Sequence, residues 1–180
     1  MSADLPAIRR LSSSDAPAYR ELRLLGLRAH PESFGSSLAE EAGKPMPWFA
    51  TRLEQRAVFA ADRSITSGLC GVAGFYRQDG ANQRHKGVLW GMFVRPDARG
   101  TGLANRLLAR VVEHASGVVE ELRLTVGALN TTAIRLYEQA GFRPYGLERR
   151  ALKAGDAYFD EMLMALSLHD SAGETANTSL

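Results

Sequence analysis

One stretch limits this chain's fold more than any other: RPDARGTGLA, Arg95 to Ala104, which places a proline, two arginines and two glycines between an apolar run and a helix-periodic one. The run before it, GVLWGMFV, reads as a strand. After it, Leu103, Ala104, Leu107, Leu108, Val111 and Val112 recur at helical spacing, with Arg106, Arg110 and Glu113 off the stripe and Gly117 as the stop. Such a helix must lie on a sheet, so the chain is of the mixed α/β class.

The junction also carries chemistry. A helix N-terminus presents unpaired N–H groups and the positive end of the helix dipole, which together attract an anion. Gly100, Gly102 and Ala104 are small enough to let phosphate oxygens reach the main chain between Arg99 and Asn105. Arg99 adds a charged donor fork. A plain tight turn explains the glycines equally well on their own. Two familiar phosphate loops are excluded: there is no Gly-Lys-Ser/Thr, and no third glycine following the first strand of a parallel unit.

The rest of the chain supplies the partners for that helix. AIRRL (7–11) reads as a short strand, followed by a Ser/Asp cap and a helix with Ala18, Leu22, Leu25 and Ala29 on one face, ended by Pro31. PESFGSSLAEEAGKPMP reads as a long loop with a turn of helix, and a short helix follows around Trp48 to Leu53. AVFAADR, LCGVAGFYRQ and GVLWGMFV suit an antiparallel meander. Then come the strand ELRLTV, the short helix NTTAIRLYEQAG, and two strands around KAGD.

The chain has 180 residues, 45% hydrophobic, which suits a single domain, here residues 1–168, with a frayed tail over 169–180. A net charge of +2 is too small for a nucleic-acid binder and suits a small anionic ligand. Cys70 is the only cysteine, which rules out an internal disulfide or a multi-cysteine zinc site and points to a reducing cytoplasm. His30, His85, His114 and His169 lack metal-ligand spacing, so no metal is expected. The opening MSADLPAIRR has no signal-peptide core, and no run reaches the ~20 apolar residues of a membrane span.

VRPDARGTGLANRLL resembles the acetyl-CoA signature of the GNAT superfamily of N-acetyltransferases: Arg or Gln, two residues, Gly, one residue, then Gly or Ala. Arg99, Gly102 and Ala104 match it in order. LTVGALNTTAIRLYEQAGFRPYG is similar to the family's second signature, through Asn130, Tyr137, Gly141 and Phe142. The likeness spans about Ile8 to Leu166, and HPESFGSS resembles a segment of a poorly characterised branch.

The resemblance implies the GNAT acyl-CoA N-acyltransferase fold: a mixed, mostly antiparallel sheet with splayed fourth and fifth strands, flanked by helices. It implies acetyl-CoA as cosubstrate, with its phosphates over Arg99, Gly100, Thr101, Gly102, Leu103, Ala104 and Asn105. The pantetheine arm would then lie on the backbone of Met92, Phe93 and Val94, one of whose N–H groups polarises the thioester carbonyl. Asn130 would contact the cofactor as well as cap its helix. Tyr137 would serve the departing thiolate; full proton transfer from a tyrosine near pKa 10 to a thiolate near 8.5 is uphill by about 2 kcal/mol, so a hydrogen bond competes with it. The implied reaction is direct attack by a primary amine through a tetrahedral intermediate, the acceptor being a small molecule or a peptide. The alternatives are a catalytically silent acyl-CoA-binding module and a transferase of longer acyl groups. Dimers are common in the family, but no residue here marks an interface.

A general base is missing where relatives often carry Glu, since the fourth and fifth strands read LWGMFV and LTV, with Thr125 at one such place. Glu32, Glu40, Glu41, Glu148 and Asp156 read as solvated surface charges that would have to approach from loops or late strands, and His85 as a turn residue. Deprotonating a lysine-type amine at pH 7 costs about 4 to 5 kcal/mol and an α-amine about 1 to 1.5, so the missing base favours a low-pKa amine.

Overall fold

The computed structural model describes residues 6–64 and 68–169. Its elements are β1 (Ile8–Arg10), α1 (Ala16–Ala29), α2 (Leu38–Ala42), α3 (Met46–Gln55), β2 (Ala57–Ser64), β3 (Gly68–Arg77), β4 (Lys86–Val94), α4 (Leu103–Ser116), β5 (Glu121–Gly127), α5 (Thr131–Gln139), β6 (Arg143–Ala154) and β7 (Ala157–Ser167). The expected strands and helices are all present. Of the expected tail only His169 is described, and the rest lies outside the described residues.

Seven strands form one sheet in the order β1-β2-β3-β4-β5-β7-β6. β4 and β5 pair in parallel, whereas every other pairing is antiparallel. Strand side chains alternate between faces, and β2 shows this directly. Ala57, Phe59 and Ala61 join the core beneath α4 and α5, while Val58 and Ala60 join the one beneath α1 and α3.

The helix after the glycine junction packs as its stripe requires, burying Leu103, Leu107, Leu108, Val111 and Ala115. It lies so close to β3 that a Cβ on Gly71 would sit 2.9 Å from Leu107 Cδ1 and 3.0 Å from Leu103 Cδ2. No side chain fits between them.

α1 departs from expectation. Its buried face is Ala16, Tyr19, Leu22, Arg23, Gly26 and Leu27, with Ala18 and Leu25 at the margin and Ala29 exposed. Two contacts rotate it. Arg23 is drawn inward by an ion pair with Glu41, and Gly26 lets the Phe93 ring approach to 3.2 Å of where a Cβ would stand. Within the expected loop, Ser37 and Glu40 form a reciprocal capping box that starts α2: the Glu40 amide donates to Ser37 Oγ at 3.2 Å, and the Ser37 amide to Glu40 Oε2 at 2.8 Å.

Two features of β4 position the site. Its parallel ladder with β5 covers only Lys86↔Glu121, Gly87↔Leu122 and Val88↔Arg123, after which the strands part. Against β3 the register jumps from Gly74↔Trp90 to Val72↔Phe93, so Gly91 and Met92 oppose Ala73 alone. This is a β-bulge, with Gly91 in the left-handed region at φ +63°. It bends β4 where it leaves β5.

Candidate active site

The wedge between the parted strands is the centre of the site. From Leu89 to Val94, β4 is bonded to β3 alone, and from Leu124 to Gly127, β5 is bonded to β7 alone. The β4 edge facing β5 therefore offers main-chain groups to an extended ligand, along the backbone of Met92, Phe93 and Val94. The Phe93 side chain is buried in the α1/α3 core, so only its backbone is available.

The glycine loop lies at the wedge's open end, directly after β4. Gly100 and Gly102 have φ of +74° and +81°, and a Cβ on either would meet nothing within 4 Å. Their conformation demands glycine; packing does not. Gly102 is the N-cap of α4 without a side-chain cap, so the first amides of α4, from Leu103, Ala104 and Asn105, have no intrahelical acceptor. Leu103's side chain is core. Thr101 Oγ1 donates to Ala98 O at 2.7 Å. Arg99 donates through Nε to Val94 O at 3.1 Å, and its Nη2 lies 3.1 Å from His30 Nε2. His30 Nδ1 in turn lies 3.3 Å from Glu32 Oε1, which ties the HPESFGSS segment to the loop.

Tyr137, on α5, is 7% exposed, and its hydroxyl donates to Met92 Sδ at 3.6 Å. Burial pushes its pKa up to about 12. Asn130 caps α5 by accepting the Ala133 amide on Oδ1 at 3.1 Å, which leaves its side-chain NH₂ to donate elsewhere.

Alongside the wedge is a cavity of about 520 Å³, bounded by β4, β5, β7, Tyr145 of β6 and the 33–36 segment. Its lining includes Thr125 and Glu161, a carboxylate absent from the sequence reading. Thr125 Oγ1 donates to Glu161 Oε1 at 3.4 Å. Burial pushes the Glu161 carboxyl above the ordinary range; Glu148 adds to that and the Thr125 hydroxyl opposes it. The signal in the sequence was faint, because Glu161 meets Thr125 only once β5 pairs with β7, which is not its neighbour in sequence.

The other acidic candidates fall elsewhere. Glu41, read from sequence as a solvated charge, is 2% exposed and bonded by two arginines. Burial alone would raise its carboxyl, but Arg23 and Arg52 outweigh that and hold it below the usual range. Glu40 is engaged in the α2 cap, Glu32 lies beside His30, and Glu148 and Asp156 are exposed on β6 and at the β6–β7 turn. His85 lines a separate hollow with Glu120 and His169. Among the described residues no cluster of three His, Cys, Asp or Glu could hold a metal, and no helix is long and apolar enough to cross a membrane.

This wedge, loop and tyrosine together define an acyltransferase-type fold, and comparison with known proteins agrees. The profile of the acetyltransferase (GNAT) family matches residues 18–142, and the chain belongs to that family. It is 31% identical over 137 residues to a mycothiol acetyltransferase of Thermobispora bispora, a match covering 71% of this chain but only 43% of that one. The chain thus spans less than half the length of this curated relative. Among solved structures, yncA from Salmonella typhimurium, a putative acetyltransferase determined with acetyl-CoA, superposes with a TM-score of 0.75 at 19% identity, over 95% of this chain and 98% of that one. The ribosomal-protein-alanine N-acetyltransferase of Brucella melitensis gives 0.73 at 22% identity, over 89% and 99%. At these identities the structures establish a shared fold.

Proposed function

We propose that this chain is an acetyl-CoA-dependent N-acetyltransferase acting by direct attack of a primary amine on the thioester. The observation that carries it is the parting of β4 and β5 beyond Val88 and Arg123, with the glycine loop at the mouth and the Tyr137 hydroxyl against Met92. In this reading the amides of Gly100 to Asn105 hold the pyrophosphate, with Arg99 adding charge and Thr101 bracing the loop. Met92, Phe93 and Val94 guide the pantetheine arm, and one of their N–H groups polarises the carbonyl. Asn130 offers its amide to the cofactor.

Tyr137 acts as a hydrogen-bond donor. With a pKa pushed up to about 12, it keeps its proton, because full transfer to a thiolate near 8.5 would cost about 5 kcal/mol. Met92 Sδ is a weak acceptor, so the hydroxyl shifts readily to the sulfur that gathers charge as the C–S bond breaks. Glu161 is the carboxylate that takes the proton the amine sheds as the C–N bond forms, and Thr125 orients it.

The test couples binding to turnover. CoA at a hundred times its dissociation constant should stabilise the fold by about 2.7 kcal/mol in a thermal shift, and Gly102→Glu should remove that shift by placing a carboxylate where phosphate binds. Thiol release from acetyl-CoA with a panel of primary amines should follow in the wild type alone. A folded Gly102→Glu protein that binds CoA normally overturns the cofactor site. Tight CoA binding with no thiol release favours a silent acyl-CoA-binding module.

A further inference from the structure

The cavity beside the wedge is built for more than an amine. Arg23, Arg56 and Arg123 all line it, against Glu161 as the sole lining carboxylate among the described residues. Arg123 is paired with Glu121, so it adds little net charge. Arg23 and Arg52 share one carboxylate, Glu41, which leaves a positive charge over. Arg56 has no carboxylate within ion-pair distance among the described residues; its guanidinium lies over the rings of Tyr76 at 4.7 Å and Trp90 at 5.0 Å. The unpaired charge of Arg56 therefore stands on the cavity wall, with the surplus of the Arg23–Glu41–Arg52 trio beside it, opposite one carboxylate on β7.

Arg23 shows where the excess is directed. The residue is 6% exposed, with Nε and Nη2 committed to Glu41 at 3.0 and 2.9 Å. Its Nη1 is buried without a protein partner and lies beside Gly91 of the bulge, a residue that lines the cavity together with Arg23. The indole Nε1 of Trp90, which also lines the cavity, is likewise unpartnered. Leaving a buried charged donor unpaired costs more than a neutral one, and an anion accepting from it removes that cost.

From this juxtaposition we infer that the acceptor carries an anionic group as well as its amine: a carboxylate or phosphate held by Arg23 Nη1 and Arg56, with the amine turned to Glu161 and Thr125. The inference rests on the acetyltransferase reading above and narrows its acceptor class. A dipolar acceptor matches the cavity's own polarity, positive on the side of Arg23 and Arg56 and negative on β7. An uncharged amine would leave Nη1 unpaired, and a polyamine would meet the arginines with like charge. The positive side is made of arginines, whose planar forks suit carboxylate and phosphate oxygens.

Matched probes test this. Glutamate and its diamide, and O-phosphoethanolamine and ethanolamine, would be titrated into the CoA-bound protein by thermal shift and assayed for thiol release with acetyl-CoA. The anionic member of at least one pair should add a shift that its neutral partner does not, and the pair that responds tells carboxylate from phosphate. In turnover the anionic member should be preferred at least tenfold in kcat/KM. Arg56→Gln, at the cavity's edge, should cut that preference at least tenfold through KM. Arg23→Lys keeps the charge toward Glu41 while removing the fork, and should lower the preference in the same direction. Equal response to both members of each pair, response to neither, or a preference that survives both variants overturns the anion site. A protein that binds the anionic probe yet releases no thiol keeps this site and overturns the acetyltransferase reading instead.

Discussion

The Tyr137 hydroxyl donates to the thioether sulfur of Met92 at 3.6 Å, joining α5 to the bulged part of β4 across the wedge. The contact matters because of what each side contributes. α5 is locked by the Asn130 cap and by Gly141 at φ +98°, and the Tyr137 ring packs edge-on against Phe142 at 5.8 Å. The hydroxyl is therefore fixed in place while its acceptor is weak. A donor so placed is ready for a better acceptor and has little freedom to leave.

Tyr137→Phe keeps the ring and its packing. It removes only the donor, so stability should change by less than about 1 kcal/mol, on the scale of one hydrogen bond to a poor acceptor. If the hydroxyl serves the departing thiolate, turnover should fall about a hundredfold to a thousandfold, in kcat and kcat/KM together, with CoA affinity unchanged. Single-turnover thiol release at saturating acetyl-CoA checks this, and equal rates would leave Tyr137 a packing residue.

The bulge offers a second handle. Gly91→Val forces a β-branched residue to φ +63°, which costs at least about 1 to 2 kcal/mol, or drives β4 straight. Either outcome should lower the melting temperature, and straightening should also weaken CoA binding by narrowing the wedge. Gly91→Asn tolerates the left-handed region and should retain most of both properties. A valine variant that binds CoA as tightly as wild type would show that the wedge does not depend on the bulge.

What could be read from the sequence follows the range of the contacts involved. α4 and its glycine loop were legible because both signals, apolar spacing and paired glycines, lie within twenty residues of chain. The β2–β3–β4 meander was legible for the same reason, and the capping box at Ser37 and Glu40 was there to be read. The parting of β4 and β5 came only through family resemblance, since nothing local says where a parallel ladder stops. Arg23 meets Glu41 across 18 positions and Thr125 meets Glu161 across 36. A charge read one residue at a time belongs on the surface; in this fold the first pairing takes Glu41 into the interior, and the second holds Glu161, half-buried, at the cavity wall.

Glu41→Gln removes the shared partner of Arg23 and Arg52. Breaking a buried ion pair on one side costs about 3 to 5 kcal/mol, because the remaining charges stay buried. The carboxyl is held below its ordinary value in the folded state, so its stabilisation is present above the unfolded value and is lost as pH falls through the folded one. Urea unfolding at pH 7 should show the full gap between wild type and variant, and the gap should narrow as the buffer is acidified. A gap that is small at pH 7 would mean that the cluster contributes little to stability.

Glu161 should show the opposite sign. Burial, with Glu148 adding to it, raises its carboxyl above the ordinary range, so the folded chain holds that proton to a higher pH than the unfolded chain. Its burial therefore costs nothing below the unfolded value, and stability declines as pH rises from there through the folded value. Glu161→Gln removes the ionisation, so the variant should match wild type in acid and be more stable at pH 7. The same change should reduce turnover, because the amide cannot take the proton that the amine sheds. In wild type, kcat/KM should climb through a limb that marks Glu161 losing its proton; in the variant that limb should vanish, leaving only the rise set by the amine itself. Melting curves and pH–rate profiles of the two proteins, run in the same buffers, separate the roles. A variant more stable at pH 7 with its pH–rate profile intact would leave Glu161 a half-buried carboxylate with no part in proton transfer.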